Sequence, residues 1–145
     1  MLDGMTPKLS VLMVDDDPTE LLLAQEAFET HAQTVNLDTC SSGTEAIAHL
    51  QNPANTLPDV IITDLNMPGL TGLDVIRILK TDPRLHLIPV IVLSNSNDPR
   101  DVEQAYSLHA NSYLVKAPDF GKFMEQIETF LAFWQEVRKP HKTFT

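Results

Sequence analysis

Four short apolar runs in this chain each stop at a single polar residue: Val11-Leu12-Met13-Val14 before Asp15, Val60-Ile61-Ile62-Thr63 before Asp64, Val90-Ile91-Val92-Leu93 before Ser94, and Tyr113-Leu114-Val115 before Lys116. Continuous apolar runs of this length, rich in Val and Ile and separated by helix-period segments, predict strands of a parallel sheet buried on both faces. Ligands of such sheets bind beyond the carboxyl ends of the strands. The carboxylates, hydroxyl and ammonium that follow these runs are therefore expected to converge on one small site. That set suits a phosphoryl group and a divalent cation better than an organic substrate, so the chain is expected to carry phosphate on itself.

With 145 residues, 43% of them hydrophobic, the chain can bury one α/β core and has no room for a second domain of ordinary size. Residues 8–138 are expected to form that domain, with an N-terminal extension at 1–7 and a C-terminal tail at 139–145. Twenty acidic against ten basic residues give a formal net charge of -10, the opposite of a nucleic-acid footprint, so no direct nucleic-acid partner is expected. The N-terminal stretch lacks the basic-then-apolar pattern of a signal peptide, and no apolar run approaches the roughly 18 residues that cross a bilayer. A cytoplasmic protein without membrane contact is the expectation. Cys40 is the lone cysteine and reads as a reduced core thiol. His31, His49, His86, His109 and His141 show no metal-ligand spacing and read as surface or capping residues.

Strand and helix alternate five times. The first strand, about Ser10 to Val14, leads through Asp15-Asp16-Asp17-Pro18 into a helix running to about His31; Asp17 as N-cap, Pro18 at the first helical position and Glu20 three residues after the cap are a helix-start signal. Strand two, Val35 to Cys40, alternates apolar and polar residues as an edge strand does, and helix two runs from Ser42 or Gly43 to Gln51. Residues 52–58 form a loop. Helix three covers about Leu73 to Thr81, helix four about Pro99 to Leu108, and a long fifth helix follows from Asp119 to about Arg138. Right-handed crossovers then give a doubly wound five-stranded parallel sheet in the order 2-1-3-4-5 with helices on both faces.

Asp64 leaves its strand into Leu65-Asn66-Met67-Pro68-Gly69-Leu70-Thr71-Gly72, a turn-rich loop whose glycines let backbone amides approach a ligand. An exposed aspartate there can act as a nucleophile and form an acyl phosphate, although an aspartate before a Pro-Gly turn also serves as a turn former. Asp15 and Asp16 end the neighbouring strand. Three carboxylates at one edge repel one another unless a hard cation is bound, and Mg²⁺, held by carboxylates, a backbone carbonyl, waters and a phosphoryl oxygen, suits the set. Lys116 can counter a phosphoryl oxygen as a point charge or snorkel from the sheet edge. Ser94 can donate its hydroxyl to a phosphoryl oxygen or close a turn. Tyr113 points to the face opposite Leu114 and Lys116, as a rotating or a half-buried side chain.

These residues, in this order and on these strands, resemble the receiver domain of two-component response regulators, over about Leu9 to Glu136. The resemblance implies that Asp64, within DVIITDLNMPGLTG, accepts phosphate from a sensor histidine kinase. It also implies that Asp15 and Asp16 are the acidic pair for Mg²⁺ or another divalent cation such as Mn²⁺ or Ca²⁺, with the Asn66 backbone carbonyl as third protein ligand. Ser94 takes the place of the switch hydroxyl, Lys116 that of the phosphate-contacting lysine, and Tyr113 that of the switch aromatic. The segment from Ile88 to Trp134 is similar to small single-domain regulators paired with cyanobacterial and bacterial phytochromes, which makes a bacteriophytochrome the expected kind of kinase. Such a protein catalyses only its own phosphorylation and dephosphorylation.

Two positions depart from the family. Its proline directly after the lysine, reached through a cis bond, is replaced here by Ala117, and a cis Lys116-Ala117 bond would cost about 3–4 kcal/mol. His109 stands where glycine often ends helix four, and histidine tolerates left-handed geometry better than most residues. A metal-dependent aspartyl-phosphate phosphatase of the haloacid-dehalogenase type is a poorer match, because its nucleophile ends the first strand and is followed two positions on by a second Asp, where Asp64 has Asn66. A pseudo-receiver that only binds partners would be expected to lack one of the five site residues, and none is missing. On the fifth helix Phe120, Phe123, Met124, Ile127, Phe130, Leu131, Trp134 and Val137 form an apolar stripe. A helix of roughly 30 Å outruns strands of about 17 Å, so Phe130, Phe133, Trp134 and Val137 are expected to project past the body and to build a homodimer.

Overall fold

A computed structural model describes residues 8–138, with side chains described through Glu136. The expected extension at 1–7, the tail at 139–145 and the side chain of Val137 lie outside the described residues. The elements run β1 (Leu9–Val14), α1 (Pro18–Glu29), β2 (Val35–Cys40), α2 (Gly43–Gln51), β3 (Val60–Thr63), α3 (Gly72–Thr81), β4 (Val90–Ser94), α4 (Pro99–Ser107), β5 (Ser112–Val115) and α5 (Phe120–Arg138), each bound within one or two residues of expectation. All strands pair in parallel, in the order β2-β1-β3-β4-β5.

Alternation along the central strands feeds two cores. Leu12, Val14, Ile61, Val90 and Val92 pack with α2, α3 and α4, while Val11, Met13, Val60, Ile62 and Ile91 pack with α1 and α5. Cys40 lies in the first of these cores, where burial pushes its thiol up to about 11, as fits an inert core residue. β1, β3 and β4 are buried as expected of central strands. β5 is not: Leu114 and Val115 are exposed, because this strand is the second edge of the sheet and no strand among the described residues pairs with its outer side.

The helix starts follow local chemistry. Ser42 caps α2 at the Glu45 amide, and Thr71 and Asp74 form a reciprocal capping box on α3. Asp17 caps α1, but through the amide of Thr19; Glu20 does not complete a capping box and turns elsewhere. His109 closes α4 with φ 74°, the left-handed conformation anticipated for it. No cis peptide bond occurs among the described residues, so Lys116-Ala117 is trans.

Candidate functional site

The strand register gathers the predicted residues at one edge. Val14 aligns with Cys40 and Thr63, and Ser94 with Val115. The backbone ladder continues one residue past each strand: the amide of Asp15 donates to Cys40 O at 3.1 Å, that of Asp64 to Val14 O at 2.9 Å, and that of Lys116 to Ser94 O at 2.8 Å. Asp15, Asp64, Ser94 and Lys116 are thus fixed by the sheet itself rather than by a flexible loop.

One carboxylate oxygen from each of Asp15, Asp16 and Asp64 lies within 4.8 Å of the others. Asp15 is only 1% exposed, whereas Asp16 faces solvent and Asp64 is half-buried. Three hard oxygen donors at this spacing fit a divalent cation of the Mg²⁺, Mn²⁺ or Ca²⁺ kind. Asn66 is exposed two residues beyond Asp64, in the loop that rims the cluster.

Lys116 threads into the cluster from β5. Its Nζ lies 3.0 Å from Asp15 Oδ2, 3.3 Å from Glu20 Oε1 and 4.0 Å from Asp64 Oδ2. Burial by itself lowers the affinity of this ammonium for its proton, but the hydrogen bond and charge of Asp15, then the charges of Asp64 and Glu20, hold it above the ordinary lysine value. Asp64 is pushed up, first by burial, with Lys116 opposing and Asp15 adding to the rise; the Leu65 amide, donating to Asp64 Oδ1 at 2.7 Å, also favours the anion.

Ser94 is buried, and its Oγ accepts the Ser96 amide at 3.1 Å. Tyr113 occupies the packed arrangement: its ring lies against the α2–α4 core and its hydroxyl donates to Ser96 O at 2.8 Å. Ser96 Oγ in turn donates to Asp101 in the first turn of α4. A hydroxyl, a tyrosine and a helix start therefore share one residue that the strand pattern did not single out.

Glu20 and Gln126 were also missed. The capping-box pattern supplied a local explanation for Glu20 that hid its contact with Lys116. Gln126 grips the exit of β5 from α5, its amide oxygen accepting Ala117 N at 2.9 Å and its Nε2 donating to Val115 O at 2.8 Å. This clamp shapes the bend after Lys116 with a trans peptide, at the position where the family uses proline. Neither residue carries a sequence signal, since each acts across the fold.

The glycines of the loop divide in role. Gly69 has φ 75° with open space around it, a turn conformation. Gly72 lies against the backbone of Asp64, where a Cβ would sit 2.1 Å from the Asp64 carbonyl oxygen. Close packing under Asp64, not ligand approach, demands glycine there.

The projecting end of α5 needs correction. Phe130 is 8% exposed and belongs to the core with Phe123, Ile127 and Leu131. Phe130 turns toward the sheet, beside Ile91 of β4 and Ser112 of β5, while the other side of α5 is tied to the connection after α1, where His31 pairs with Glu128 at 2.8 Å and Gln135 donates to Thr34 at 2.8 Å. Trp134 is half-buried against the same core, with Phe133 edge-on to it at 5.4 Å between ring centroids, and Phe133 alone of the three is open to solvent at 58% exposure.

A five-stranded sheet of order 2-1-3-4-5 with an acidic trio and a buried lysine at its carboxyl edge is the arrangement of a signalling receiver, and the chain belongs to the response regulator receiver domain family, whose model matches residues 11–128. The chain is 32% identical over 140 residues to the response regulator Rcp1 of Synechocystis sp., covering 94% of this chain and 95% of Rcp1. Among solved structures it resembles the phosphorylated cyanobacterial phytochrome response regulator RcpA, with TM-score 0.85, 32% identity and coverage of 91% and 97% of the two chains. It also resembles the Mn²⁺-bound form of Rcp1, with TM-score 0.77, 32% identity and coverage of 88% and 94%. No helix among the described residues is long and apolar enough to cross a membrane.

Proposed function

We propose that Asp64 is the phosphoacceptor of this receiver domain, taking a phosphoryl group from the phosphohistidine of a sensor histidine kinase. A carboxylate oxygen of Asp64 attacks phosphorus, the P–N bond breaks, and its electron pair returns to the imidazole, which takes a proton from solvent. Asp15, Asp16 and Asp64, with the Asn66 carbonyl, would hold Mg²⁺, which supplies positive charge against the transferred group. Lys116, 4.0 Å from Asp64, would add a second positive charge. Ser94 then turns its hydroxyl to a phosphoryl oxygen, and the Ser96–Tyr113 hydrogen bond carries that change to the face of α4, β5 and α5. The reading is supported above all by the meeting of three carboxylates and the Lys116 ammonium at one sheet edge.

The partner in this proposal is a phytochrome-linked kinase in the cytoplasm, supported by the likeness to RcpA over nearly the whole chain. A homodimer is proposed on the outer face of β5 and α5, where Phe133, Leu114 and Val115 are exposed. Labelling with acetyl phosphate tests the assignment: wild type should be labelled only with Mg²⁺ present, and Asp64→Asn should take up none. Stoichiometric labelling of that variant, or labelling indifferent to chelator, overturns it.

A further inference from the structure

Glu20 sits in the first turn of α1, three residues after the N-cap Asp17. A glutamate at that position ordinarily reaches back to the amide of the cap residue. That amide is already engaged, donating to Asp15 Oδ1 at 3.0 Å. Glu20 is thereby freed from the helix end, and its carboxylate instead lies 3.3 Å from Lys116 Nζ.

The consequence lies in how the ammonium is shared. Lys116 is nearer to Asp15 and Glu20 than to Asp64, which stands at 4.0 Å. A cation bound at the edge draws on Asp15 and so loosens its hold on the lysine. Glu20 is outside the trio of converging carboxylates, so the cation leaves its hold intact. Once Asp64 carries a dianionic group, the lysine has two claimants, and Glu20 adds repulsion from a part-buried negative charge.

Building on the reading of Asp64 as phosphoacceptor, we infer that Glu20 is a positioning residue that keeps Lys116 retracted and so lowers the stability of the phosphorylated form. Removing its charge should release the lysine toward Asp64 and strengthen phosphoryl occupancy. Glu20→Asp, which keeps the charge but withdraws it by one methylene, should fall between Glu20→Gln and wild type.

Two measurements on the full chain test this. In the cation-free protein, the ¹⁵Nζ resonance of Lys116 should move in Glu20→Gln, a signature that damage elsewhere in α1 would not produce. At saturating Mg²⁺, the apparent dissociation constant for beryllofluoride, a mimic of the acyl phosphate, should fall by about fivefold, the size set by a part-exposed ion pair. A Lys116 resonance unmoved by Glu20→Gln overturns the inference, as does a beryllofluoride affinity equal to or weaker than wild type. If the wild type itself binds no beryllofluoride, the phosphoacceptor reading falls and takes the inference with it, while a moved resonance would still mark the Glu20–Lys116 contact as real.

Discussion

Gly72→Ala should damage the site without touching any group that does chemistry. Gly72 opens α3, and its amide donates to Leu65 O at 2.8 Å. An added Cβ would meet Asp64 O at 2.1 Å, Leu65 Cα at 2.8 Å and Asp64 C at 3.0 Å. All three are backbone atoms that no rotamer change can withdraw. An ordinary C···O contact is about 3.2 Å, so either the helix or the Asp64 peptide must move by roughly 1 Å, an overpacking cost of about 1–3 kcal/mol. The gain in helix propensity from Gly to Ala, at most about 1 kcal/mol in a helix interior, offsets little of this at the first helical position. A shift of that size at a reacting group costs up to about a hundredfold in rate. Gly69→Ala is the control: with φ 75° and open space it carries only backbone strain, about 1–2 kcal/mol. Urea unfolding and the rate of acetyl phosphate labelling, measured side by side, should show both variants destabilised but only Gly72→Ala slowed by at least about tenfold. A Gly72→Ala protein within about 0.5 kcal/mol of wild type and labelled at the wild-type rate would refute the close-packing argument.

Lys116→Ala leaves the buried Asp15 carboxylate without its ammonium, so without cation the variant should lose about 3 kcal/mol and recover much of it on adding Mg²⁺; equal Mg²⁺ stabilisation of variant and wild type would count against the pairing. The Asp74 carboxyl is held below its ordinary value of 3.8 by the backbone amide and then the side chain of Thr71. Its folded-state value being depressed, the capping box contributes stability above pH 3.8 that is lost as pH falls through the lower folded value. Asp74→Asn should therefore flatten the acid limb of a stability-against-pH curve, and an unchanged limb would remove the box from the account. For the dimer, Phe133→Glu is a cleaner test than Trp134→Glu, because Trp134 packs on the core while Phe133 is exposed. Sedimentation at micromolar concentration should show the variant shifted toward monomer, and a wild type already monomeric with and without phosphorylation would end the proposal.

What the sequence by itself determined lay in short-range patterns. Runs such as Val60-Ile61-Ile62-Thr63, short and β-branched, read as strands, and the rule that ligands meet parallel sheets at the carboxyl ends then placed Asp15, Asp64, Ser94 and Lys116 on one edge. The cap at Asp17 is likewise legible, since an N-cap contacts amides two or three residues away, while the caps at Ser42 and Thr71 came from the structure. Tertiary structure alone decided whatever depended on distant segments. Phe130 is core because the end of α5 packs back on the sheet, placing it beside Ile91 and Ser112, some 39 and 18 positions earlier in the chain. Leu114 and Val115 are exposed because β5 is the edge of the described sheet, a place that the expected order 2-1-3-4-5 implies but that its own apolar run does not show. Glu20 faces Lys116 rather than its helix end because Asp15 had already taken the amide of Asp17, and Gly72 is glycine because the backbone of Asp64 lies against it. Periodicity reports which face of an element is buried; it carries no record of which remote group arrives to meet that face, and in this protein those arrivals set the charge balance around Asp64.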